Sequence, residues 1–491
     1  MSESKFLAFD FGAESGRAIV GILKNKKIEL HEVHRFPNKI VNVFDNLHWN
    51  ILYLFDELRT GLTKAVQKGY TDIESIAVDT WGVDFGLVTK DDQLLGSPIA
   101  YRDSRTNGML DKAFNLMPKD KLYNLTGIQF MQINSAFQLL SMVESDDTLL
   151  NSADKLLFMP DLLNFLLTGE KKSEYTIAST SQLLNAKEKK WEDKIFDALN
   201  LPINLMADIV MPGTKIGDLH PSICNAVGLK NTDVIAVGSH DTASAVAAVP
   251  NLTSNWAFIS SGTWSLIGIE TDHPIINENS LKYNFTNEGS VGGKIRFLRN
   301  VMGMWIIQQL KKEWGSKGEE YSYSELNEMA GEAFPFKCII DTDDPIFLNP
   351  KSMVNAINEF CNKTDQAQPK SKGEYVRCAL ESLALKYKLL IDKINLFKDE
   401  KIETINIVGG GSQNELLNQF TADSTGLKVV AGPVESTAFG NIVVQAIATG
   451  KIEDIKEGRK IIANSVELKE YNPSKNNLWN KELHRAAKFM A

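Results

Sequence analysis

Two short turns rich in small residues, Asp10-Phe11-Gly12-Ala13-Glu14-Ser15-Gly16-Arg17 and Ser260-Ser261-Gly262-Thr263-Trp264-Ser265, lie about 250 residues apart in a chain of 491. Each sits between apolar runs, 6–9 and 18–23 for the first and 256–259 and 266–269 for the second. Glycine lets such a turn close tightly and aim backbone N–H groups at phosphate oxygens. Asp10 would stand at a strand end, where a carboxylate can hold Mg2+ through water. Neither turn has the Gly-x-x-x-x-Gly-Lys-Ser/Thr spacing of a P-loop. Two strand–turn–strand units suggest two related lobes with nucleotide phosphates held between them, and an enzyme that moves a phosphoryl group.

A third cluster, Gly409-Gly410-Gly411-Ser412, ends an apolar run and precedes a helical pattern over 414–421. Such a junction lets a flat ligand such as adenine or ribose approach, and a helix start favours negative charge. In Gly238-Ser239-His240-Asp241-Thr242-Ala243 an acidic residue stands between a buried strand and an Ala-rich helix. Phosphoryl transfer to an alcohol needs a carboxylate that orients the hydroxyl and takes its proton. An Asp of ordinary pKa, ~3.9, is ionised at neutral pH and suits that role. Capping the helix is the other role open to Asp241.

Asp79-Thr80-Trp81-Gly82-Val83-Asp84-Phe85 and Tyr101-Arg102-Asp103-Ser104-Arg105-Thr106 mix aromatic rings with carboxylates and guanidinium groups. Sugar sites use that mixture of planar apolar faces and paired donors and acceptors. A surface ion-pair cluster would give the second segment the same composition. His31, His34, His48, His220, His273 and His484 form no metal spacing and read as surface or structural residues.

The elements that carry these residues follow from periodicity. Strands are predicted over 5–9, 18–24 and 27–35, a helix over 52–67 with Leu54, Leu58, Leu62 and Ala65 on one face, and a strand over 73–78. Strand, helix, strand in that order argues for α/β organisation. A hairpin follows at 86–93, then helical stretches over 120–144 and 154–167, the latter stopped by Gly169. Further on come a strand over 234–238, helices over 240–249, 303–314, 375–396 and 437–447, a strand over 402–408 and a polar loop over 362–374. Apart from the two turns there is no short-period repeat, which argues against a solenoid.

A chain this long exceeds one growing core, so two domains are expected. The polar stretch 250–255 is the natural boundary, giving an N-terminal lobe over 1–249 and a C-terminal lobe over 250–491. The formal charge of −9 argues against a general nucleic-acid or anionic-membrane surface while leaving room for a local phosphate-binding patch. Four cysteines do not make a disulfide scaffold, although Cys361 and Cys378 bracket a polar stretch and could approach one another. The apolar run before Asp10 is too short for a signal peptide, and no uncharged run approaches the ~20 residues of a membrane span, so a cytoplasmic location is expected.

Taken together, these segments, with Gly127-Ile128-Gln129-Phe130 and Met159-Pro160-Asp161, resemble the FGGY carbohydrate kinases in the family's order over nearly the whole chain. The resemblance implies the two-lobed α/β actin/Hsp70-like ATPase fold, with ribonuclease H-like domains and a central cleft between lobes. The N-terminal lobe would bind sugar and carry the first phosphate loop, and the C-terminal lobe would bind ATP. It implies Mg·ATP-dependent phosphorylation of a ketose, a small-molecule substrate, with no nucleic-acid or membrane partner and a monomer or small homo-oligomer. Asp241 matches the catalytic base, and Gly82, His240, Asp241 and Thr242 match the ketose site. Ala13, Glu14, Ser15, Gly16, Arg17, Thr263, Asn300, Gln308 and Gly410 match ATP contacts, and Asp10 the metal-associated carboxylate. The segment Phe130-Met131-Gln132-Ile133-Asn134-Ser135 departs from the family's Pro-containing, Asn-Thr-like form. Asn134 and Gln138 remain in place, so altered packing rather than lost activity is expected. A kinase for another ketose or polyol, such as L-fuculose, and a catalytically silent actin-like nucleotide-binding protein are the alternatives.

Overall fold

The apolar run at the start of the chain forms strand β1 (Ser4–Phe11) in the computed structural model, which describes residues 3–230, 232–474 and 477–490. Its side chains are buried on both faces, as a central strand requires. The chain makes an antiparallel meander through β2 (Ser15–Lys24) and β3 (Lys27–Pro37). Helix Ile51–Gln67 then crosses the sheet, its N-terminus capped by Asn50, whose side chain accepts from the Tyr53 amide. Leu54, Leu58, Leu62 and Ala65 bury the expected apolar face in one core with Leu7, Phe9 and Val20. The chain returns as β4 (Ile73–Thr80), parallel to β1. With β5 (Lys215–Asp218) and β6 (Asp233–Ile235), the sheet order is β5-β6-β4-β1-β2-β3.

This sheet belongs to the first of two compact units, made of Met1–Leu252, Glu270–Phe297 and Ser436–Ser465. The second comprises Thr253–Ile269, Leu298–Glu435 and Val466–Ala491. A second, seven-stranded sheet contains β7 (Trp256–Ser261), β8 (Trp264–Thr271), β9 (Ile295–Met302), β10 (Thr404–Val408), β11 (Lys428–Ala431) and β12 (Lys469–Tyr471) in the order β9-β8-β7-β10-β11-β12, with Thr286–Gly289 outside β9; the end of β8 and the start of β9 fall in the first unit. In each sheet a hairpin (β1–β2, β7–β8) lies beside two successive parallel neighbours (β4 and β6, β10 and β11) and then an antiparallel edge (β5, β12). The two turns singled out in the sequence therefore occupy equivalent places in equivalent sheets.

Several elements depart from periodicity. The stretch 120–144 is broken into helices Lys119–Thr126 and Ser135–Glu144, because Gly127 ends the first in the left-handed region at φ 63°. The stretch 154–167 opens as strand Lys155–Phe158 before helix Met159–Thr168, with Gly169 as its left-handed cap. A short apolar run reads alike in both states, and Pro160 sets the change by starting the helix. The polar loop shrinks to 364–371, since Ser371 caps helix Lys372–Ile394 through a reciprocal bond pair with Glu374. Cys338, not Cys361, lies against Cys378, with the two sulfurs 2.9 Å apart. Cys361 also contacts Cys338; that contact lowers the Cys338 pKa, but the Cys378 contact and burial outweigh it and raise it, while the Cys338 contact and burial raise that of Cys361. All three are buried and free. Among the described residues no helix is long and apolar enough to cross a membrane.

Candidate active site

The first turn closes as a hairpin in which Asp10 pairs with Arg17 and Phe11 with Gly16. The Gly12 amide donates to the Ser15 carbonyl at 2.9 Å, and the Asn38 side-chain amide donates to the Gly12 carbonyl at 3.0 Å. This leaves Glu14 exposed and Ala13 and Ser15 half-buried. The ring of Phe36 covers Gly16 so closely that a Cβ there would meet it at 2.1 Å. The Arg17 guanidinium donates to the Asp10 carboxylate across the hairpin.

Asp79 stands beside Asp10 on the neighbouring parallel strand. It is wholly buried, and its Oδ2 accepts from the side-chain amide of Asn441 at 2.5 Å. Asn441 belongs to helix Ser436–Ala448 and is itself held by Gln445, 2.7 Å away, which accepts from the Ser75 hydroxyl at 2.7 Å. Burial, then the charges of Asp10 and Asp241, raise the Asp79 pKa well above the usual carboxylate range despite the Asn441 bond. Its Oδ1 has no hydrogen-bond partner.

Asp241 is reached from the same strand end. The Thr80 amide donates to the Ser239 carbonyl at 2.9 Å, which sets His240-Asp241-Thr242 next to the Asp79 peptide. His240 occupies the N-cap position of helix Asp241–Ala247, so Asp241 lies in its first turn and does not cap it. Its Oδ1 accepts from the Thr242 amide at 2.5 Å and from the Thr242 hydroxyl at 3.0 Å. The side chain keeps 30 % of its surface exposed, so a substrate can reach it. Partial burial, assisted by Asp10 and opposed by His240, raises the Asp241 pKa above that of an ordinary Asp, making it a stronger base than the sequence suggests. Gly82 faces this pair: a Cβ there would lie 3.3 Å from His240 Nε2 and 3.5 Å from the Thr180 hydroxyl.

Behind these residues lies a carboxylate that spacing did not reveal. Glu174 accepts from the Thr176 amide and hydroxyl, the Ile177 amide and the Ser239 amide. Burial nevertheless pushes its pKa up to about 7. Glu288 and Arg296 were missed too, and sit on the far side of His240, which lies 3.1 Å from an Arg296 nitrogen. The only signal of Arg296 in the sequence is a charge within an apolar strand-like run, and Glu288, in a polar stretch, gives none.

The aromatic segments form a buried network, not a surface cluster. Asp84 accepts from the indoles of Trp49 and Trp81 at 2.6 and 2.9 Å, from the Tyr101 amide at 3.2 Å and from Gln138 at 3.0 Å. Burial raises its pKa to about 6 against those bonds. Arg105 donates to the other end of Gln138 at 2.7 Å, and Asp103 accepts from the Leu47 and Arg105 amides. Asn134 donates to the Gln129 carbonyl and to Gln182.

In the second unit the turn at Thr263 is held from one side by the start of the next helix. The Met304 amide donates to Gly262, and the Gly303 and Trp305 amides donate to Thr263. Gly411 rests on Ser261, where a Cβ would come within 2.0 Å of the hydroxyl, while nothing lies within 4 Å of one at Gly410. Asn300 is half-buried in β9, and Gln308 lies one turn into helix Trp305–Gly315 with a buried Oε1 that has no partner. The sequence-derived residues thus divide: Asp10, Ala13 to Arg17, Gly82 and His240 to Thr242 in the first unit, Thr263, Asn300, Gln308 and Gly410 in the second. Among the described residues no three His, Cys, Asp or Glu side chains form a metal centre. Mg2+ needs less, since it keeps several waters and takes one or two carboxylates beside substrate phosphates. Asp10 and the orphaned Oδ1 of Asp79 fit that demand.

The N-terminal domain pattern of the FGGY family of carbohydrate kinases matches residues 5–248 and the C-terminal domain pattern residues 257–449. A protein named rhamnulokinase from Bacteroides thetaiotaomicron is 44% identical over 97% of both chains. Another from Oceanobacillus iheyensis is 43% identical over 95% of this chain and 97% of its own. Among solved structures, a gluconate kinase from Lactobacillus acidophilus superposes with TM-score 0.80 at 17% identity, covering 99% of this chain and 96% of its own. A Plasmodium falciparum glycerol kinase with ADP gives 0.78 at 14% identity, covering 99% and 97%. The two-domain α/β fold is therefore that of carbohydrate kinases, and the chain belongs to the FGGY family.

Proposed function

We propose that this chain transfers the γ-phosphoryl group of ATP to the 1-hydroxyl of L-rhamnulose, giving L-rhamnulose 1-phosphate and ADP. The observation that carries the chemistry is Asp241, partly exposed, of raised basicity and flanked by His240 and the half-buried Gly82. Asp241 accepts the hydroxyl proton as the sugar oxygen attacks phosphorus in line. The new O–P bond forms while the bond to the β-phosphate oxygen breaks and ADP leaves. His240, Thr242 and Gly82 bind the ketose, and the Ala13 to Arg17 turn presents amides to phosphate. Thr263, Asn300, Gln308 and Gly410 serve as nucleotide contacts. Asp10, with Asp79 beside it, would hold Mg2+, which when bound offsets charge on the phosphates. The choice of sugar rests on the relatives named rhamnulokinase, such as those 44% and 43% identical.

A coupled ADP-release assay across a panel of ketoses and polyols tests this reading. L-rhamnulose should give the highest kcat/KM. A clear preference for L-fuculose or another sugar would overturn the substrate, and no ADP release with any of them would overturn the kinase.

A further inference from the structure

His240 has two ring nitrogens with different neighbours. Nε2 looks toward Asp241 Oδ1, 3.5 Å away, and toward the empty Cβ position of Gly82. Nδ1 looks toward strand β9, where Arg296 places Nη2 at 3.1 Å. Arg296 is fully buried: its Nε donates to the Gly289 carbonyl at 2.9 Å, Nη2 lies 3.2 Å from Glu288 Oε2 as an ion pair, and Nη1 has no hydrogen-bond partner. Glu288 Oε2 is also 3.4 Å from His240 Nδ1, so two groups compete for that nitrogen. The guanidinium is the closer, and only its contact is aligned as a hydrogen bond. A guanidinium has donors only and stays charged, so a nitrogen bonded to it must be an acceptor.

We propose that Arg296, anchored by Glu288 and Gly289, is a positioning residue that fixes the tautomer of His240. By donating to Nδ1 it keeps the imidazole proton on Nε2, where that N–H points toward Asp241 and Gly82. There it grips a ketose oxygen near the hydroxyl that Asp241 deprotonates. Neither Arg296 nor Glu288 touches the substrate. The choice of tautomer is made by the partner of the other ring nitrogen, as it is for many functional histidines. The role for the sugar rests on the kinase reading above, whereas the tautomer stands independently of it.

The test uses the full-length protein with 15N-labelled histidine, the His240 signals being assigned by their loss in His240→Gln. In the wild type, Nδ1 should show the signature of an unprotonated acceptor and Nε2 that of an N–H. In Arg296→Met the two tautomers should mix, and kcat/KM for the ketose should fall about 10–100-fold, by analogy with the loss of a metal-bound histidine's outer partner. KM for ATP should stay within twofold of the wild type. Arg296→Lys, which keeps a charged donor, should recover part of both the spectrum and the rate. Should Arg296→Met fail to fold, Glu288→Gln, which leaves the guanidinium less firmly held, should show a partial shift of the same signals. A proton on Nδ1 in the wild type would overturn the proposal whatever the variants do. So would an unchanged tautomer in a folded Arg296→Met, or a loss that raises both KM values together. A wild type with the stated tautomer that phosphorylates no sugar would sink the kinase reading and leave the positioning role standing.

Discussion

Asp10 and Asp79 are register partners on adjacent parallel strands, one bonded to the Arg17 guanidinium and the other to a neutral amide of Asn441. The pair is therefore electrically unequal: Arg17 balances a charge on Asp10, while Asn441 gives Asp79 one donor and no charge. Without a cation bound beside it, burial and the neighbouring carboxylates favour the protonated form of Asp79. Asp79→Asn, which imitates that form, should unfold within about 1 kcal/mol of the wild type, whereas Asn441→Asp, which sets a second carboxylate against it, should lose at least about 2 kcal/mol. Urea denaturation at pH 7 checks both, and equal losses would refute the asymmetry.

Asp241→Asn should keep the fold and ATP binding. Its turnover should fall by the ~10²–10⁴-fold that a general base contributes. Thermal melting, calorimetric ATP titration and the ADP-release assay make up the comparison. Near-normal turnover would remove Asp241 from the mechanism.

Glu174 predicts a pH dependence of stability. Its pKa is raised from 4.5 to about 7 in the folded protein, so the folded state holds the proton more tightly than the unfolded one. The stabilisation from that proton is complete below the unfolded value and is lost as pH rises through the folded one. Between pH 4.5 and about 7 this group alone should lower stability by up to about 1.4 kcal/mol per pH unit. Glu174→Gln places an amide against three backbone N–H groups and should be less stable overall, yet lack that component of the slope. Unfolding curves at half-unit steps across this window measure the difference, and parallel pH profiles would count against it.

Gly440 lies where helix Ser436–Ala448 crosses helix Asp241–Ala247, and a Cβ there would fall 1.8 Å from the Ser244 carbonyl oxygen. Backbone cannot swing aside as a side chain can, so Gly440→Ala should cost about 1–3 kcal/mol or more through overpacking. Gly331→Ala, in a helix with nothing within 4 Å of the new methyl, should instead gain about 0.4–1 kcal/mol. Because the first clash moves the helix that carries Asp241, Gly440→Ala should also lower kcat. A stable and fully active variant would disprove the close crossing.

Much of this organisation was legible in the sequence, for reasons that are local. Alternating and continuous apolar runs marked β1, β2, β4 and helix Ile51–Gln67, and turn chemistry marked both hairpins, because each signal lies within a few residues of the element it specifies. The environment of the site was not legible. Asn441 matters to Asp79 across 362 residues, and Arg296 matters to His240 across 56. Buried polar residues look alike in a sequence whether they serve a neighbour or a distant one. Asp241 shows the same limit: its position was evident, but its basicity depends on burial and on Asp10, which only the folded sheet brings near.

The three-segment make-up of the first unit has a consequence for synthesis on the ribosome. The partner of Asp79 and the helix that crosses Ser244 lie in Ser436–Ser465, so nascent chain emerging through residue 252 contains the hairpin, the candidate base and all six strands of the first sheet but not their closing element. Contacts of such long sequence separation form late. The N-terminal sheet must therefore wait, with one face incompletely covered, while nearly two hundred further residues are translated. A chain stalled in that interval should expose apolar surface to chaperones, and this unit should complete its folding only after Ser436–Ser465 has emerged.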